Sequence, residues 1–426
     1  LFILRMACVI KFKGLQQLSA GNAVWLVMCV CMYAFLLILW IRHLAAFADS
    51  MVAVASMLEQ QRNAKLLRSQ LPDMKFILLW TQTMRHLDRP SECNSSTSNC
   101  FLTKNKAFFG GDYTYFDAIV FDQSHFTSEW VSIPRSPSQL YIFTSEESPS
   151  NFPACELHND EFFNWTFTYR LDSDIIWKFF VVRDFNGNII APSLNAKWNA
   201  TKIPVHSNAK TVLRGKTRAL AWIVSDCNTI SFRDQHVMKL QEQLSHYSLE
   251  IDIYGDCTKR PCEENGDCEA MLRKKYYFYV AFENSLDDDY VTREVLHGYD
   301  NYAVQITVYH FAYRFLPPGS YIDARQVHPH NLAQFIHLTM VHPPVHESFF
   351  YWTNIYTIDS NYTTYNPTCD ICQAVNSDSA KNAPAKKKFR FWWNTPNGMK
   401  WCLPHQFWKE YARNNLDVSN IYRNKH

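Results

Sequence analysis

The stretch from Tyr276 to Glu294 constrains the fold of this chain more than any other. It begins with seven consecutive apolar and aromatic residues, 276–282, and such a run is typical of a strand buried on both faces of a parallel sheet. A polar cluster that includes Glu283, Asn284 and Tyr290 follows directly. In open α/β sheets, ligands bind in the crevice beyond the carboxyl ends of the strands. The stretch therefore predicts an α/β fold with a ligand site where this strand ends.

Shorter apolar runs, rich in β-branched and aromatic residues, recur in two series. The strand-like runs of the first series are residues 77–80, 118–121 and 141–144. The second series reads strand, helix, strand, at residues 219–224, 234–247 and 250–254. This alternation is typical of parallel βαβ units. We therefore expect two α/β domains, an amino-terminal one at residues 73–209 and a carboxy-terminal one at residues 210–365, with a cleft between them.

Residues 23–41 form a long uncharged apolar run. At the helical rise of about 1.5 Å per residue, nineteen residues span the hydrocarbon core of a bilayer, which is about 30 Å thick. A cleaved signal peptide is the alternative, but its apolar core is usually shorter and is followed by small residues. We expect a cytoplasmic tail at residues 1–22, a transmembrane anchor at 23–41 and a helical stem at 42–72.

Charge, cysteines and glycosylation sequons indicate on which side of the membrane the body lies. Lys11 and Lys13 precede the apolar run, which favours a cytoplasmic amino terminus. Ten of the thirteen cysteines follow the run, an even number suited to disulfides in an oxidising compartment. Four N-glycosylation sequons follow it as well, at Asn94, Asn164, Asn199 and Asn361. The chain is thus expected to be a single-pass type II membrane protein with a luminal body.

Two cysteine pairs stand out by their spacing. Cys93 and Cys100 bracket a polar loop, and we expect a disulfide between them to close it. Cys369 and Cys372 form a CxxC, which suits a redox site or half of a zinc site. No second CxxC accompanies them, so the pattern favours a structural disulfide over metal binding.

The tail at residues 366–426 is basic and aromatic. Lys386, Lys387 and Lys388 precede a cluster that contains Trp392 and Trp393, a pattern also found in nucleic-acid-binding patches. The whole chain, however, has a net charge of only +2, with 19% charged residues, so no polyanionic partner is indicated. Behind a membrane anchor we expect no nucleic-acid partner. We expect the tryptophans to pack back onto the body and the lysines to be solvated.

Several motifs occur in one order along the body. They are ESP at 147–149, NWTFTYRLDSD at 164–174, WIVSDC at 222–227, YG at 254–255, FENSLDDDY at 282–290 and PGSYID at 318–323. Together they resemble the α1,3-fucosyltransferases of glycosyltransferase family 10, which are membrane-anchored Golgi enzymes that use GDP-fucose. The resemblance covers roughly residues 76–336, and its specific parts are the NWT and FENS segments.

This resemblance implies a fold and a reaction. The fold is GT-B, with two Rossmann-like domains that face a cleft, the amino-terminal domain toward the acceptor sugar and the carboxy-terminal domain toward GDP-fucose. The reaction is an inverting transfer of fucose to an N-acetylglucosamine of a glycoprotein N-glycan, in α1,3 linkage. The family implies GDP-fucose as the donor substrate and no essential bound metal, with manganese at most a stimulant.

The resemblance also assigns roles to individual residues. Glu147, in the ESP motif, matches the base that takes the proton of the acceptor hydroxyl. Arg233 matches an arginine that contacts the diphosphate, where a planar guanidinium can hold two oxygens. Glu283, Asn284 and Tyr290 match residues that line the donor site.

Five further residues lie in the matched motifs, and we expect none of them to react. Arg170, Asp172 and Asp174 match residues of the cleft wall, where we expect them to set the interdomain geometry. Asp287 and Asp289 imitate a DxD metal motif. Because the family's donor site does not depend on a bound metal, we expect these two aspartates to belong to a solvated loop.

The donor segment departs from the family pattern at three positions. After Tyr290 and Thr292 the family has glutamate and then lysine, whereas this chain has Arg293 and then Glu294. An anionic Glu294 close to a diphosphate would repel it by about 1–4 kcal/mol at the effective dielectric of a cleft. A Val-Pro sequence of the family is also replaced, by Val304 and Gln305.

These observations lead to two hypotheses from different functional classes. The first is an active fucosyltransferase, indicated by Glu147, Arg233, Asn284 and Tyr290. The alternative is a fucosyltransferase-like glycan-binding protein of the Golgi with weak or absent catalysis, indicated by the altered donor segment. The residues shared with the donor site outnumber those replaced, so we favour the transferase.

Overall fold

The fold is described by a computed structural model of the chain. The residues described are 20–81, 87, 93, 99–125, 132–199, 201–227, 229–262, 266–308, 312–359, 365–394 and 402. The strands are β1 (Lys75–Leu79), β2 (Cys100–Thr103), β3 (Ala118–Asp122), β4 (Leu140–Ser145), β5 (Trp165–Thr168), β6 (Ile175–Ile176), β7 (Val181–Asp184), β8 (Ile189–Ala191), β9 (Arg218–Ile223), β10 (Ile251–Tyr254), β11 (Tyr276–Ala281), β12 (Val304–Thr307), β13 (Tyr321–Asp323) and β14 (Tyr356–Asp359). The helices are α1 (Ala20–Gln70), α2 (Ser207–Arg214), α3 (Arg233–Ser245), α4 (Cys268–Lys275), α5 (Leu296–Asp300), α6 (Pro329–Val341), α7 (Pro343–Ser348), α8 (Pro367–Val375) and α9 (Phe389–Asn394).

Helix α1 forms a compact unit of its own together with Ala107–Asp112. It is long and apolar enough to cross a membrane. The predicted anchor and the predicted helical stem belong to this one helix, because no glycine or proline interrupts the sequence between Val24 and Gln70. The helix ends just before Pro72, which cannot continue it.

The described remainder of the chain is built on two parallel sheets. The first has six strands in the order β2-β1-β3-β4-β5-β6, and the second has five in the order β10-β9-β11-β12-β13. Neighbouring strands are parallel in both sheets. A third, antiparallel sheet has the order β14-β7-β8. The predicted α/β fold of GT-B type is confirmed, whereas the predicted domain boundaries stay predictions.

The apolar runs of the sequence lie where expected. The three runs of the first series form β1, β3 and β4, and the second series forms β9, α3 and β10. All six side chains of β4 are buried, as are Val237, Leu240 and Leu244 on the inner face of α3. Strand β11 lies between β9 and β12, so the stretch Tyr276–Glu294 begins in the central strand of the second sheet.

Five disulfides join the ten cysteines between Cys93 and Cys402. The pairs are Cys93–Cys369, Cys100–Cys372, Cys155–Cys402, Cys227–Cys257 and Cys262–Cys268. The predicted Cys93–Cys100 disulfide is wrong. Each of these cysteines instead pairs with one cysteine of the CxxC, because Cys369 and Cys372 are three residues apart in α8 and lie on the same face of that helix. The preference for structural disulfides over metal at the CxxC is confirmed.

The carboxy-terminal tail packs against the first sheet. Trp393 and Phe389 are fully buried, and their rings contact Phe143 of β4 at 4.8 and 4.7 Å. Lys386 pairs with Asp174 at 2.9 Å, whereas Lys387 and Lys388 are exposed. The expected packing of the tail is confirmed for Trp393, and the expected solvation of the lysines holds for two of the three.

The sequons differ in accessibility. Asn199 is exposed, and its side-chain oxygen accepts a hydrogen bond from Thr201 Oγ1 at 2.7 Å. Asn164 is buried, and its amide nitrogen donates to the carbonyl oxygen of Ala383 at 2.7 Å. A glycan on Asn164 would replace this contact, so Asn199 is the better acceptor of the two. Asn94 and Asn361 lie outside the described residues.

Candidate active site

The candidate site lies where loops from the carboxyl ends of β4 and β11 meet. Ser150, after β4, donates a hydrogen bond to Asp287 Oδ1 at 2.9 Å. Ser285, after β11, donates to the hydroxyl of Ser148 at 2.6 Å. These serines are buried, so the contacts join the two halves of the body without intervening solvent. The ESP segment therefore lies opposite the carboxyl end of β11, where the sequence predicts a ligand site.

Glu147 is at the centre of this junction. The Tyr290 hydroxyl donates a hydrogen bond to Glu147 Oε2 at 3.0 Å, and Asn151 Nδ2 donates to the same oxygen at 3.0 Å. Asn151 Nδ2 also donates to Asn284 Oδ1 at 3.1 Å. One amide group therefore links the predicted base to the predicted donor segment. The structure brings Glu147, Asn284 and Tyr290 together, and the roles expected of them stay predictions.

Glu146 is a second carboxyl group at the end of β4, and it lies outside the sequence motifs. Its pKa is raised to about 7, mainly by burial; the nearby Asp122 and Glu147 contribute to the rise, and Arg293 opposes it. The residue is partly buried. A charged residue directly after a fully buried strand was the signal that could have identified it.

Arg233 opens helix α3 and is buried. Its Nη1 donates to the carbonyl oxygen of Phe282 at 2.7 Å, and its Nη2 donates to that of Asp226 at 2.9 Å. The guanidinium also lies 5.7 Å from the ring of Trp222. Its Nε is buried and has no hydrogen-bond partner among the described residues. Arg233 thus joins the loops that follow β9 and β11, and its Nε–H group is left to donate to a ligand.

Glu283 stabilises the donor segment from within. Its two carboxylate oxygens accept hydrogen bonds from the backbone nitrogen of Thr292 at 2.8 Å and from the Thr292 hydroxyl at 3.0 Å. The side chain is only 4% exposed. The geometry therefore assigns Glu283 to holding the 290–292 turn, and its expected contact with the donor stays a prediction.

The two reversed charges of the donor segment both have partners within the protein. Arg293 Nε donates to the carbonyl oxygen of Phe179 at 3.1 Å. Glu294 accepts a hydrogen bond from the hydroxyl of Tyr279. Burial raises the pKa of Glu294, although Tyr279, His297 and Arg233 oppose the shift. A larger neutral fraction of Glu294 reduces the repulsion that the sequence predicted for a diphosphate.

Gln305, the third departure, fills space under helix α5. It is fully buried in the middle of β12, and its amide lies against Gly298. A Cβ atom on Gly298 would be 1.7 Å from Gln305 Nε2. The glutamine is therefore accommodated because residue 298 has no side chain.

Asp287 and Asp289 do not form a solvated loop. Asp287 accepts the hydrogen bond from Ser150, and Asp289 is only 6% exposed. Asp289 accepts from Arg314 Nη1 at 3.2 Å and from the backbone nitrogen of Leu171 at 3.2 Å. The prediction was wrong because contacts across the junction bury this loop. Within the described ranges, no group of three or more His, Cys, Asp or Glu side chains could hold a metal ion.

Arg170, Asp172 and Asp174 hold the carboxy-terminal tail. Arg170 forms two hydrogen bonds with Asp172, both at 2.9 Å, and Arg170 Nη1 donates to the carbonyl oxygen of Trp392 at 2.8 Å. Asp174 accepts from Thr166 and pairs with Lys386. The described contacts of these residues are thus with the carboxy-terminal tail, and their expected role in the interdomain geometry stays a prediction.

Comparison with known proteins places the chain in a family. The model "Fucosyltransferase, N-terminal" matches residues 72–180, and "Glycosyltransferase family 10 (fucosyltransferase) C-term" matches residues 213–390. The Alpha-(1,3)-fucosyltransferase C of Drosophila melanogaster is 34% identical over 325 residues, which cover 71% of this chain and 73% of that protein. The chain belongs to the fucosyltransferases of glycosyltransferase family 10. It is therefore a glycosyltransferase by family.

Two other fucosyltransferases have a slightly lower sequence identity to this chain. The Alpha-(1,3)-fucosyltransferase fut-1 of Caenorhabditis elegans is 30% identical over 233 residues, covering 53% of this chain and 49% of that protein. A 4-galactosyl-N-acetylglucosaminide 3-alpha-L-fucosyltransferase of Homo sapiens is 30% identical over 291 residues, covering 65% and 72%. A crystal structure of an alpha1,3-fucosyltransferase is a more distant match, with a TM-score of 0.45, 12% identity and coverage of 72% of this chain and 91% of that chain.

Proposed function

We propose that this protein transfers fucose from GDP-fucose to an N-acetylglucosamine of glycoprotein N-glycans, in α1,3 linkage and with inversion at the anomeric carbon. The observation that carries the proposal is the position of Glu147. Its carboxylate is held at the junction of the two sheets, within hydrogen-bond distance of Tyr290 from the donor segment. The names of the relatives, which include Alpha-(1,3)-fucosyltransferase C, support the same donor sugar and linkage.

In the proposed reaction, Glu147 accepts the proton of the acceptor hydroxyl. The hydroxyl oxygen forms a bond to the anomeric carbon of fucose while the bond from that carbon to the phosphate oxygen breaks, and GDP leaves with the electron pair. A positioned base of this kind contributes about 10²–10⁴-fold to the rate. Glu147 Oε2 is occupied by Tyr290 and Asn151, so Oε1 is the oxygen available for the proton.

The donor side of the site is proposed to consist of Arg233, Asn284, Arg293 and the ring of Tyr290, with Glu283 and Glu294 shaping the segment. The hydroxyl of Tyr290 is directed at Glu147. Arg233 has a buried Nε that no described residue accepts from, and a phosphate oxygen would satisfy it. We propose that no bound metal is essential, because Asp287 and Asp289 already accept hydrogen bonds from the protein.

The proposed location is the Golgi membrane, in single-pass type II orientation with the body in the lumen. The apolar helix α1 supports the membrane anchor. The five disulfides support an oxidising compartment. The proposed partners are the membrane and a glycoprotein N-glycan, with no role for nucleic acid.

A second candidate is a glycan-binding protein of the same fold with weak or no turnover. Glu294 favours it, because this acidic residue stands where the family pattern has a lysine. The two candidates differ in whether the protein binds GDP at concentrations up to the millimolar range.

Titration calorimetry of the full chain in detergent with GDP tests the proposal. We expect GDP to bind, and we expect transfer of fucose from GDP-fucose to an N-glycan acceptor to be lost in the Glu147→Gln variant. Absence of GDP binding up to millimolar concentrations would exclude the transferase. GDP-independent glycan binding without transfer would support the second candidate.

A further inference from the structure

We propose that Tyr290 and Asn151 are positioning residues that hold the Glu147 carboxylate in its reactive orientation and couple it to the donor segment. This inference rests on the proposed function, because it takes Glu147 to be the base. It adds a role that the family motifs do not assign to Tyr290, whose place in the FENSLDDDY segment suggested a contact with the donor. It also brings in Asn151, which the sequence motifs left out.

Both donors converge on one oxygen of Glu147. The Tyr290 hydroxyl and Asn151 Nδ2 are each 3.0 Å from Oε2, and within the described part of the chain Oε1 accepts no hydrogen bond. Two hydrogen bonds to one oxygen stop rotation of the carboxylate and leave the other oxygen to face an incoming hydroxyl. Displacement of a reacting group by 1 Å can cost about a hundredfold in rate, so the orientation is worth holding.

Tyr290 is itself held in place. It is only 4% exposed, and its ring packs edge-on against Tyr169 with the centroids 4.9 Å apart. Burial raises the pKa of Tyr290 well above the ordinary value of 10, and the carboxylates of Glu283 and Glu147 add to the effect. The hydroxyl therefore stays protonated and donates to Glu147 throughout the physiological pH range.

Asn151 connects the base to the donor segment. Its single amide nitrogen donates both to Glu147 Oε2 and to Asn284 Oδ1, and Asn284 lies in the loop after β11. Ser231 reaches the same loop, because its backbone nitrogen donates to the carbonyl oxygen of Asn284 at 3.1 Å. A shift of the donor segment would therefore be transmitted to the orientation of Glu147 through Asn151 as well as through Tyr290.

The chain offers a matched control for Tyr290. Tyr169 is buried beside it, and its hydroxyl has no hydrogen-bond partner among the described residues. Tyr290→Phe and Tyr169→Phe thus remove the same atom from neighbouring rings, and only the first removal takes a hydrogen bond from Glu147. A difference between the two variants reports on that bond and not on packing.

The test measures steady-state transfer from GDP-fucose and GDP affinity by calorimetry, using full-length protein in detergent. We expect Tyr290→Phe to lower kcat about 10- to 100-fold, with KM for the donor and Kd for GDP unchanged within about twofold. Tyr169→Phe should change neither. In a Glu147→Gln background, Tyr290→Phe should have no further effect on the residual rate, because the oxygen that it orients is no longer a base.

Asn151 provides an independent variant should Tyr290→Phe fail to fold. Asn151→Ala should lower kcat, and Asn151→Asp should lower it further, because a carboxylate in this position would repel Glu147 instead of donating to it. A structural role alone would give both variants similar kcat values.

Other outcomes would overturn the inference in distinguishable ways. Loss of GDP affinity with unchanged kcat in Tyr290→Phe would make Tyr290 a donor ligand. Equal rates for Tyr290→Phe, Asn151→Ala and the wild type, with Glu147→Gln inactive, would reject the positioning roles and leave the proposed function standing. Full activity of Glu147→Gln would instead reject Glu147 as the base and, with it, the proposed mechanism.

Discussion

Substitution of Gly298 by alanine tests whether the donor segment has been rebuilt around Gln305. Gly298 has an ordinary helical backbone conformation in α5, since it is absent from the glycines with positive φ. By helix propensity alone, alanine would stabilise the protein by about 0.8–1 kcal/mol. The new Cβ atom, however, would lie 1.7 Å from Gln305 Nε2, 2.4 Å from Cδ and 2.7 Å from Oε1. All three distances are far below van der Waals contact.

Gln305 cannot move away without cost. It is 0% exposed in the middle of β12, with β11 and β13 on either side. Overpacking of a well-filled interior costs about 1–3 kcal/mol. Contacts this short place the cost near the upper end of that range, so after the gain from helix propensity is subtracted we expect Gly298→Ala to destabilise the body by about 2 kcal/mol. Since α5 directly follows Arg293 and Glu294, we also expect weaker GDP binding.

Thermal unfolding at a fixed scan rate, together with GDP calorimetry, measures both effects. Gly215→Ala is the matched control, because its Cβ atom would have no neighbour closer than 3.5 Å. In the double variant Gly298→Ala with Gln305→Ala, the clash is removed and part of the lost stability should return. A Gly298→Ala variant as stable as the wild type, or one that Gln305→Ala does not rescue, would refute the reasoning.

Two further predictions concern the acidic residues of the site. The pKa of Glu146 is raised from 4.5 to about 7, so its contribution to stability is present below pH 4.5 and is lost as the pH rises through 7. Glu146→Gln should therefore leave the free energy of unfolding unchanged at pH 4 and increase it by about 1–3 kcal/mol at pH 8, measured by denaturant titration; an equal effect at both pH values would contradict this assignment. Glu294→Gln keeps an acceptor for Tyr279 but removes the negative charge. Because the pKa of Glu294 is raised, the wild-type side chain is most fully charged at alkaline pH, and the substitution has its largest effect there. GDP affinity should rise about tenfold at pH 8 and by less as the pH falls, and calorimetry that finds no gain at any pH would show that the carboxyl group does not face the diphosphate.

Much of the fold was predictable because its signals are local. The run at 276–282 is apolar at every position, and it forms β11 at the centre of a parallel sheet. The helical face of Val237, Leu240 and Leu244 was equally clear, and all three side chains are buried in α3. Strand and helix patterns of this kind depend on the periodicity of neighbouring residues, which the sequence contains in full.

The disulfides and the buried loop were not predictable in the same way. Cys93 and Cys100 are close in sequence, yet each pairs with a cysteine more than 270 residues away, at a separation of 276 or 272. The sequence around Asp289 predicts a solvated loop, but Leu171 and Arg314 contact this residue in the folded protein. Both errors have the same physical cause, because pairing and burial depend on which distant segments the fold brings together.

The stretch from Tyr276 to Glu294 shows where the division lies. Its sequence alone determined a buried strand, a polar site at the strand's end and membership of the motif order that marks the family. Only the tertiary structure decided that Tyr290 donates to Glu147, that Glu294 is held by Tyr279, and that Gln305 fits under Gly298. Local patterns follow from the chemistry of adjacent residues, whereas the charge, orientation and reactivity of a side chain depend on partners that are remote in the sequence.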